Sequence, residues 1–184
     1  MSRIIIGITG ATGIIYGLRL LETLKPMDIE THLVVSKAGQ LTRSHETDIS
    51  LQALKSLCDV YHPIGDIAAS IASGSFKTDG MIIAPCSMNT LAEVATGVSQ
   101  NLLARAADVT LKERRRLVLM PREAPLHLGH IRNMLTVTEM GGIIYPPVPA
   151  FYQKPESLDD IVDEAVGRVL DLFGIETQLF KPWE

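Results

Sequence analysis

Five short runs in this chain are apolar at nearly every position: RIIIGI at the start, then THLVVS, GMIIAPCS, RLVLM and IIY. Each is followed or preceded by a segment with helical spacing. The predicted helices are Ile14–Leu24, Ala38–His45, Leu51–Leu57, Asn89–Ala95, Ser99–Arg115 and Leu126–Met140, with a last one from Leu158 that ends just before Gly174. A strand that is apolar on every residue, not every second one, has both faces covered. Strands of that kind alternating with helices build a mostly parallel sheet between two helical layers. The expectation is an α/β protein of three layers, α/β/α. The small and polar stretch Asp66–Ser75 fits neither pattern and reads as partly loop.

Neither a repeat nor a linker divides the 184 residues, so the chain reads as one domain, 1–184, large enough for a core without disulfide or metal staples. With two cysteines, Cys58 and Cys86, no disulfide framework is expected. The net charge of −4 argues against a nucleic-acid surface, and basic residues are not interleaved with aromatic ones. No apolar stretch approaches the length of a membrane span, and the first apolar run is broken at once by Gly7 and Gly10, unlike a signal peptide. A cytoplasmic protein is the default reading.

In parallel sheets of this kind ligands sit beyond the carboxyl ends of the strands. The first such end is GITGATG, with Gly7, Gly10 and Gly13 three residues apart and Ala11, Thr9 and Thr12 among them. Glycines let a backbone turn tightly and bring N–H groups to an anion at the helix start that follows. The spacing does not match G-x-G-x-x-G from Gly7, and no G-K-[ST] follows. A dinucleotide site would also place Asp or Glu at the end of the second strand to hold a ribose. Here that strand ends in Val35-Ser36-Lys37, a hydroxyl and an amine suited to phosphate. The pattern favours a mononucleotide such as FMN over NAD, with a packing turn as the alternative. Ser73-Gly74-Ser75 and Ala84-Pro85-Cys86-Ser87 are two further loops that could surround a flavin ring. Cys86 reads as a buried cysteine more readily than as a nucleophile, since no histidine can be paired with it.

Several cations stand in places where surface charge alone does not explain them. Arg105 and Lys112 share a helix face, and Arg122 and Glu123 follow the RLVLM strand. Arg168 falls on one helix face with Ile161, Ala165 and Leu172, and there it needs an anionic partner or a wet pocket. Either these are structural ion pairs, or they gather around a second phosphate. Glu46, in HETD, and Glu123 are carboxylates that could move protons near such sites. The proline-stiffened run Tyr145–Tyr152 could cover a small apolar substrate, with Tyr152 offering its hydroxyl, or pack on a neighbouring subunit. The five histidines include one close pair, His127 and His130, with no carboxylate at a usual zinc spacing, so no metal site is expected.

With these residues in view the chain resembles the flavin prenyltransferases of the ubiquinone-biosynthesis type, once described as aromatic-acid decarboxylases. The resemblance runs through GITGATG, VVSKAG, HETD, SGSFKTDGM, APCSMNTLAEVATG, NLLARAADVTLKERRRLVLMPREAPLHLGH and PPVPAFY, essentially the whole chain. It implies a Rossmann-like or flavodoxin-like fold, FMN binding, and transfer of a dimethylallyl group from dimethylallyl phosphate to reduced FMN, at N5 and then C6. No metal is implied. The product, prenylated FMN, would serve a separate decarboxylase.

The resemblance also implies roles. Gly10, Ala11, Thr12, Gly13, Ser36, Ser87 and Arg105 would lie at the flavin. Glu46, Glu123 and Ser87 would take part in the chemistry. Lys112, Arg122, Tyr152 and Arg168 would hold the prenyl phosphate. It implies a homo-oligomer, a dodecamer, with sites between subunits. The sequence adds the tail from about 175 to 184, where Leu179, Phe180 and Trp183 stand beyond the last helix and suit subunit contacts, with docking on its own chain as the alternative. Two rivals are carried. One is an FMN-dependent decarboxylase of peptidyl-cysteine or phosphopantothenoylcysteine, which would not need the second phosphate site. The other is a flavin-binding assembly protein without activity, in which the cations form salt bridges.

Overall fold

The structure is a computed structural model and describes residues 2–181; Trp183, part of the tail expectation, lies outside the described residues. Six strands form one all-parallel sheet: β1 (Ser2–Ile8), β2 (Ile29–Val35), β3 (Val60–His62), β4 (Gly80–Cys86), β5 (Arg116–Pro121) and β6 (Ile143–Ile144). Their order across the sheet is β3-β2-β1-β4-β5-β6. The helices are α1 (Ile14–Leu24), α2 (Lys37–Glu46), α3 (Leu51–Ser56), α4 (Met88–Thr96), α5 (Leu102–Lys112), α6 (Leu128–Glu139) and α7 (Leu158–Asp171). This is the doubly wound order of a Rossmann-like fold.

The reason for the unbroken apolar runs is visible in β1. Successive side chains point to opposite faces. Ile4, Ile6 and Ile8 pack with Leu20, Leu21 and Leu24 of α1 and with Val162, Val166 and Leu170 of α7. Ile5 faces the other way, into a second core with Met81, Ile83, Leu91, Leu103, Ala106 and Val137. Each fully buried Ile or Leu stabilises the fold by roughly 1.5–3 kcal/mol through apolar burial. Both faces are therefore closed over residues 4–8, and that part of β1 has no room for a polar residue.

Some boundaries differ from those expected. β3 has no counterpart in the sequence reading, because three residues are too few to show a period. The helix expected over Ser99–Arg115 starts at Leu102, where the Asn101 side chain accepts from the N–H of Ala104 at 3.0 Å. It stops before Arg114, whose φ of 58° is left-handed. Asp66–Ser75 is loop apart from a single helical turn at Ser70–Ala72.

Gaps between neighbouring strands open where the winding reverses, between β1 and β4. Thr9, fully buried at the end of β1, ties that opening together. Its hydroxyl donates to the carbonyl of Pro85 at 2.8 Å and accepts from the N–H of Ser87 at 2.7 Å. The loops after β1 and β4 are thereby fixed side by side.

Candidate active site

Two clefts flank the loop that follows β1. The first, about 490 Å³, is lined by Gly10, by Ser36, Lys37 and Ala38 at the start of α2, by Ser87, Asn89 and Thr90, and by Ile64, Ile67, Asn101 and Leu103. Its size falls within the range of small-molecule sites. The loop comes so close to α2 that a Cβ on Gly10 would sit 2.3 Å from the Cβ of Ala38. Glycine is the residue that permits this approach. Ser36 caps α2, its hydroxyl accepting from the N–H of Gly39 at 2.9 Å. The first turn of any helix leaves N–H groups for an external anion, and Lys37 adds a positive charge beside them. Ile64, Ile67 and Leu103 give the same cleft an apolar wall for a planar ring. The donor set fits a mononucleotide with one phosphate.

The glycine loop itself holds an anion, but it is the protein's own. The Glu46 carboxylate accepts from the N–H of Gly13 at 2.9 Å and from that of Ile14 at 3.0 Å, at the start of α1. This corrects the expectation that the loop presents those N–H groups to a cofactor phosphate; the phosphate-sized helix start in the first cleft is that of α2. Partial burial works to raise the Glu46 pKa. The Thr12 hydroxyl, the two N–H groups and the nearby Arg122 outweigh it, and the carboxyl ends below the usual carboxylate value.

The second cleft, about 420 Å³, is lined by Thr12, Pro121, Arg122, Glu123, Ala124, Pro146 and Pro147. Arg122 is its main charge. The Nε of Arg122 is buried without a hydrogen-bond partner, and the guanidinium lies against Tyr16, with Nη1 3.4 Å from the phenol oxygen. No carboxylate forms an ion pair with Arg122 among the described residues. A half-buried arginine in that condition is a ready anion ligand. Glu123 is exposed beside it, accepting from the N–H of Ala124 at 3.1 Å.

Tyr145 stands within electrostatic reach of Tyr16, Tyr152, Arg168 and Glu164. Burial first, and then the Glu164 charge, pushes its phenol up to about 12. Glu164 is itself held above the usual carboxylate range by burial, against the pull of Arg168. Arg122 lies against Tyr16, and Tyr152 and Arg168 lie toward Tyr145, but neither Tyr152 nor Arg168 lines the second cleft. The sequence reading named Tyr145 only as the start of a covering loop and missed Tyr16, which looks like an ordinary core aromatic.

Other expected site residues lie elsewhere. Lys112 is at the end of α5 next to Glu113, before β5 begins, whereas Arg122 follows the end of that strand. Six strand residues separate the two ends by about 20 Å, so they cannot meet within one chain. Ser73-Gly74-Ser75 is also at the amino ends of the strands, where Arg115 donates to the carbonyls of Gly74 and Phe76. Within one chain it cannot join the glycine loop around a flavin. Arg105 pairs with Asp108 at 2.8 Å and lines neither cleft. Ser87 lines the first cleft but caps α4, accepting from the N–H of Thr90 at 3.2 Å. Cys86 is fully buried and its thiol pushed well up by that burial, which suits packing and not attack. Among the described residues no three His, Cys, Asp or Glu side chains are grouped to hold a metal ion, and no helix is long and apolar enough to cross a membrane.

Comparison with known proteins shows the family. The Flavoprotein family profile matches residues 1–170. The flavin prenyltransferase UbiX of Neisseria meningitidis serogroup B is 58% identical over the whole of this chain and 97% of its own. The crystal structure of AnUbiX (PadA1) in complex with FMN and dimethylallyl pyrophosphate superposes with a TM-score of 0.97 at 50% identity, covering 100% of this chain and 97% of that one. A dodecameric FMN-dependent UbiX-like decarboxylase from Escherichia coli O157:H7 gives a TM-score of 0.96 at 50% identity, with 99% of each chain covered. On this identity, carried over the full length, the chain belongs to the flavin prenyltransferase family.

Proposed function

We propose that this flavin prenyltransferase binds FMN in the first cleft and dimethylallyl phosphate in the second, and joins the dimethylallyl group to the reduced flavin. The observation that carries this reading is the pair of clefts on either side of one loop, each with its own anion-binding end. The start of α2, with Ser36 and Lys37, suits the FMN phosphate. Arg122, which has no carboxylate in an ion pair with it, suits the phosphate of the donor, and we assign Tyr152 and Arg168 to the same phosphate.

Breaking an allylic C–O bond puts negative charge on the departing phosphate, and cations fixed around it stabilise that charge as it grows. Reduced FMN, when bound, supplies the electron-rich atoms that the allyl carbon joins. Holding donor and flavin on two sides of a rigid loop replaces a bimolecular encounter with a positioned one. Glu123, exposed beside Arg122, is placed to give a proton to the leaving phosphate or to take one from its surroundings. Glu46 and Thr12 hold the loop between the clefts, and Ser87 holds the start of α4 against the flavin cleft. A cysteine decarboxylase would have no use for the second anion site, and a non-catalytic flavin carrier would leave Arg122 neutralised by a carboxylate.

The reading extends to a homo-oligomer, a dodecamer on the pattern of the Escherichia coli protein, in which Lys112 and Arg105 approach a neighbour's site. The chain acts as one domain whose product goes to a separate decarboxylase. Two-ligand calorimetry tests the division of the site. FMN and dimethylallyl phosphate should bind together, one of each per chain, and FAD should bind more weakly than FMN. Competition between FMN and the donor would contradict the two-cleft reading.

A further inference from the structure

Through Lys181, the tail after α7 lies against its own chain, although its apolar residues suggest a contact with another subunit. Leu179 and Phe180 lie across α7 at Gly167. A Cβ there would come within 2.8 Å of the Phe180 Cδ1 and 3.1 Å of the Leu179 Cβ, so the seat exists because residue 167 is glycine. Leu179 also packs on the main core. From that seat the Phe180 ring covers the guanidinium of Arg168, 5.1 Å from ring centre to Cζ. Asp171 holds the other side of the same guanidinium through Nη1. One residue further on, the carbonyl of Lys181 accepts from the side-chain Nε2 of Gln153 at 2.7 Å. Gln153 follows Tyr152 in the single turn Phe151–Gln153.

The tail thus touches two separate segments, α7 and the 151–153 turn, and each carries one of the residues assigned to the donor phosphate. We propose that residues 177–181 act as a clamp that positions Arg168 and Tyr152 for that phosphate, with Phe180 as the positioning residue. The inference rests on the reading above that Arg168 and Tyr152 serve the donor. An unrestrained arginine side chain samples many rotamers, and ordering it at the moment of binding lowers affinity. An aromatic face orders the guanidinium without neutralising it, because the attraction comes from the ring quadrupole and leaves the charge available. Asp171 already pairs with Nη1, so a second carboxylate at position 180 would cancel the remaining charge toward an anion, whereas the ring adds order without further neutralisation.

The test uses the full-length protein with FMN and dimethylallyl phosphate. Phe180→Leu keeps the apolar contact with α7 and removes the ring; Phe180→Tyr keeps both. Phe180→Leu should raise the donor KM about 10-fold while the FMN dissociation constant stays within about twofold, and Phe180→Tyr should behave like the parent protein. Gly167→Ala, which improves helix propensity while lifting the tail off its seat, should raise the donor KM in the same way, and it carries the test if Phe180→Leu fails to fold. A normal donor KM in Phe180→Leu and Gly167→Ala, alongside a raised one in Arg168→Ala, would overturn the clamp and leave the phosphate site standing. Equal losses of FMN and donor binding would also overturn it, as general loosening. A normal donor KM in Arg168→Ala would overturn the clamp and the assignment of Arg168 together.

Discussion

Arg122 reaches its position because β5 ends at Pro121 and the next N–H, its own, is held by the carbonyl of Cys86 at 3.3 Å. The side chain then lies along Gly13, where an added Cβ would come within 2.7 Å of its Cδ. Backbone and glycine together set the guanidinium at the mouth of the second cleft. Replacing Arg122 by alanine should lower kcat/KM for dimethylallyl phosphate by about 100-fold, the loss of a charge-assisted contact, and leave FMN affinity within about twofold. Steady-state kinetics beside a flavin titration separates the two. Glu46 gives a pH-dependent counterpart. Its folded pKa lies below the value of a free carboxyl, so the charge stabilises the fold above the unfolded pKa, and that contribution is lost as pH falls through the folded one. Glu46→Gln should cost about 1 kcal/mol at neutral pH, given the exposed setting, and the gap from the parent should close below pH ~4. A gap in urea midpoints that is constant with pH would mean that the charge of Glu46 has no part in capping α1.

Elements meet at the loop after β1, and there glycine decides the geometry. Gly10→Ala would drive a Cβ into Ala38, so the loop must leave the start of α2. FMN affinity should fall by about 10-fold or more, read from flavin fluorescence, whereas donor affinity measured with saturating FMN should change less. The apolar runs disclosed the layers and most strand and helix positions, because burial on both faces leaves a local mark on residues 4–8 of β1, on all of β4 and on 117–121 of β5. Ser36-Lys37 disclosed the phosphate-sized end of α2 for the same local reason. The occupant of the α1 start was not legible, since Glu46 reaches Gly13 across 33 positions of sequence. β3 was hidden by its length, and Tyr16 by the ordinary look of a buried aromatic. Leu179 and Phe180 lie on their own α7, one of the two placements the sequence left open, because apolar residues look the same whether they meet α7 or another subunit.

Taken as a body, the protein leaves a good deal of apolar surface uncovered. Leu128, Ile131 and Leu135 lie three to seven positions apart on α6 and are 58%, 51% and 57% exposed, while Val148, Phe151 and Leu158 are 70%, 75% and 81% exposed. Apolar patches of this kind mark contacts, and closed symmetric assemblies repeat one site per subunit. Light scattering should therefore report a mass many times the 20.1 kDa of one chain. Charged replacements at Ile131 and Leu135 should reduce the mass and the activity together, because Lys112 and Arg122 stand at opposite ends of a single chain. Assembled protein with full activity after Lys112→Ala would remove that lysine from the site. The most direct test of the whole is the flavin itself. Reduced FMN and dimethylallyl phosphate are incubated with the protein without oxygen, and the flavin released is weighed by mass spectrometry. A flavin heavier by one dimethylallyl group, formed with the protein and not with an Arg122→Ala, Arg168→Ala double variant, is the expected result. Unchanged FMN, recovered with both ligands bound at saturation, would contradict a prenyl transfer at these two clefts.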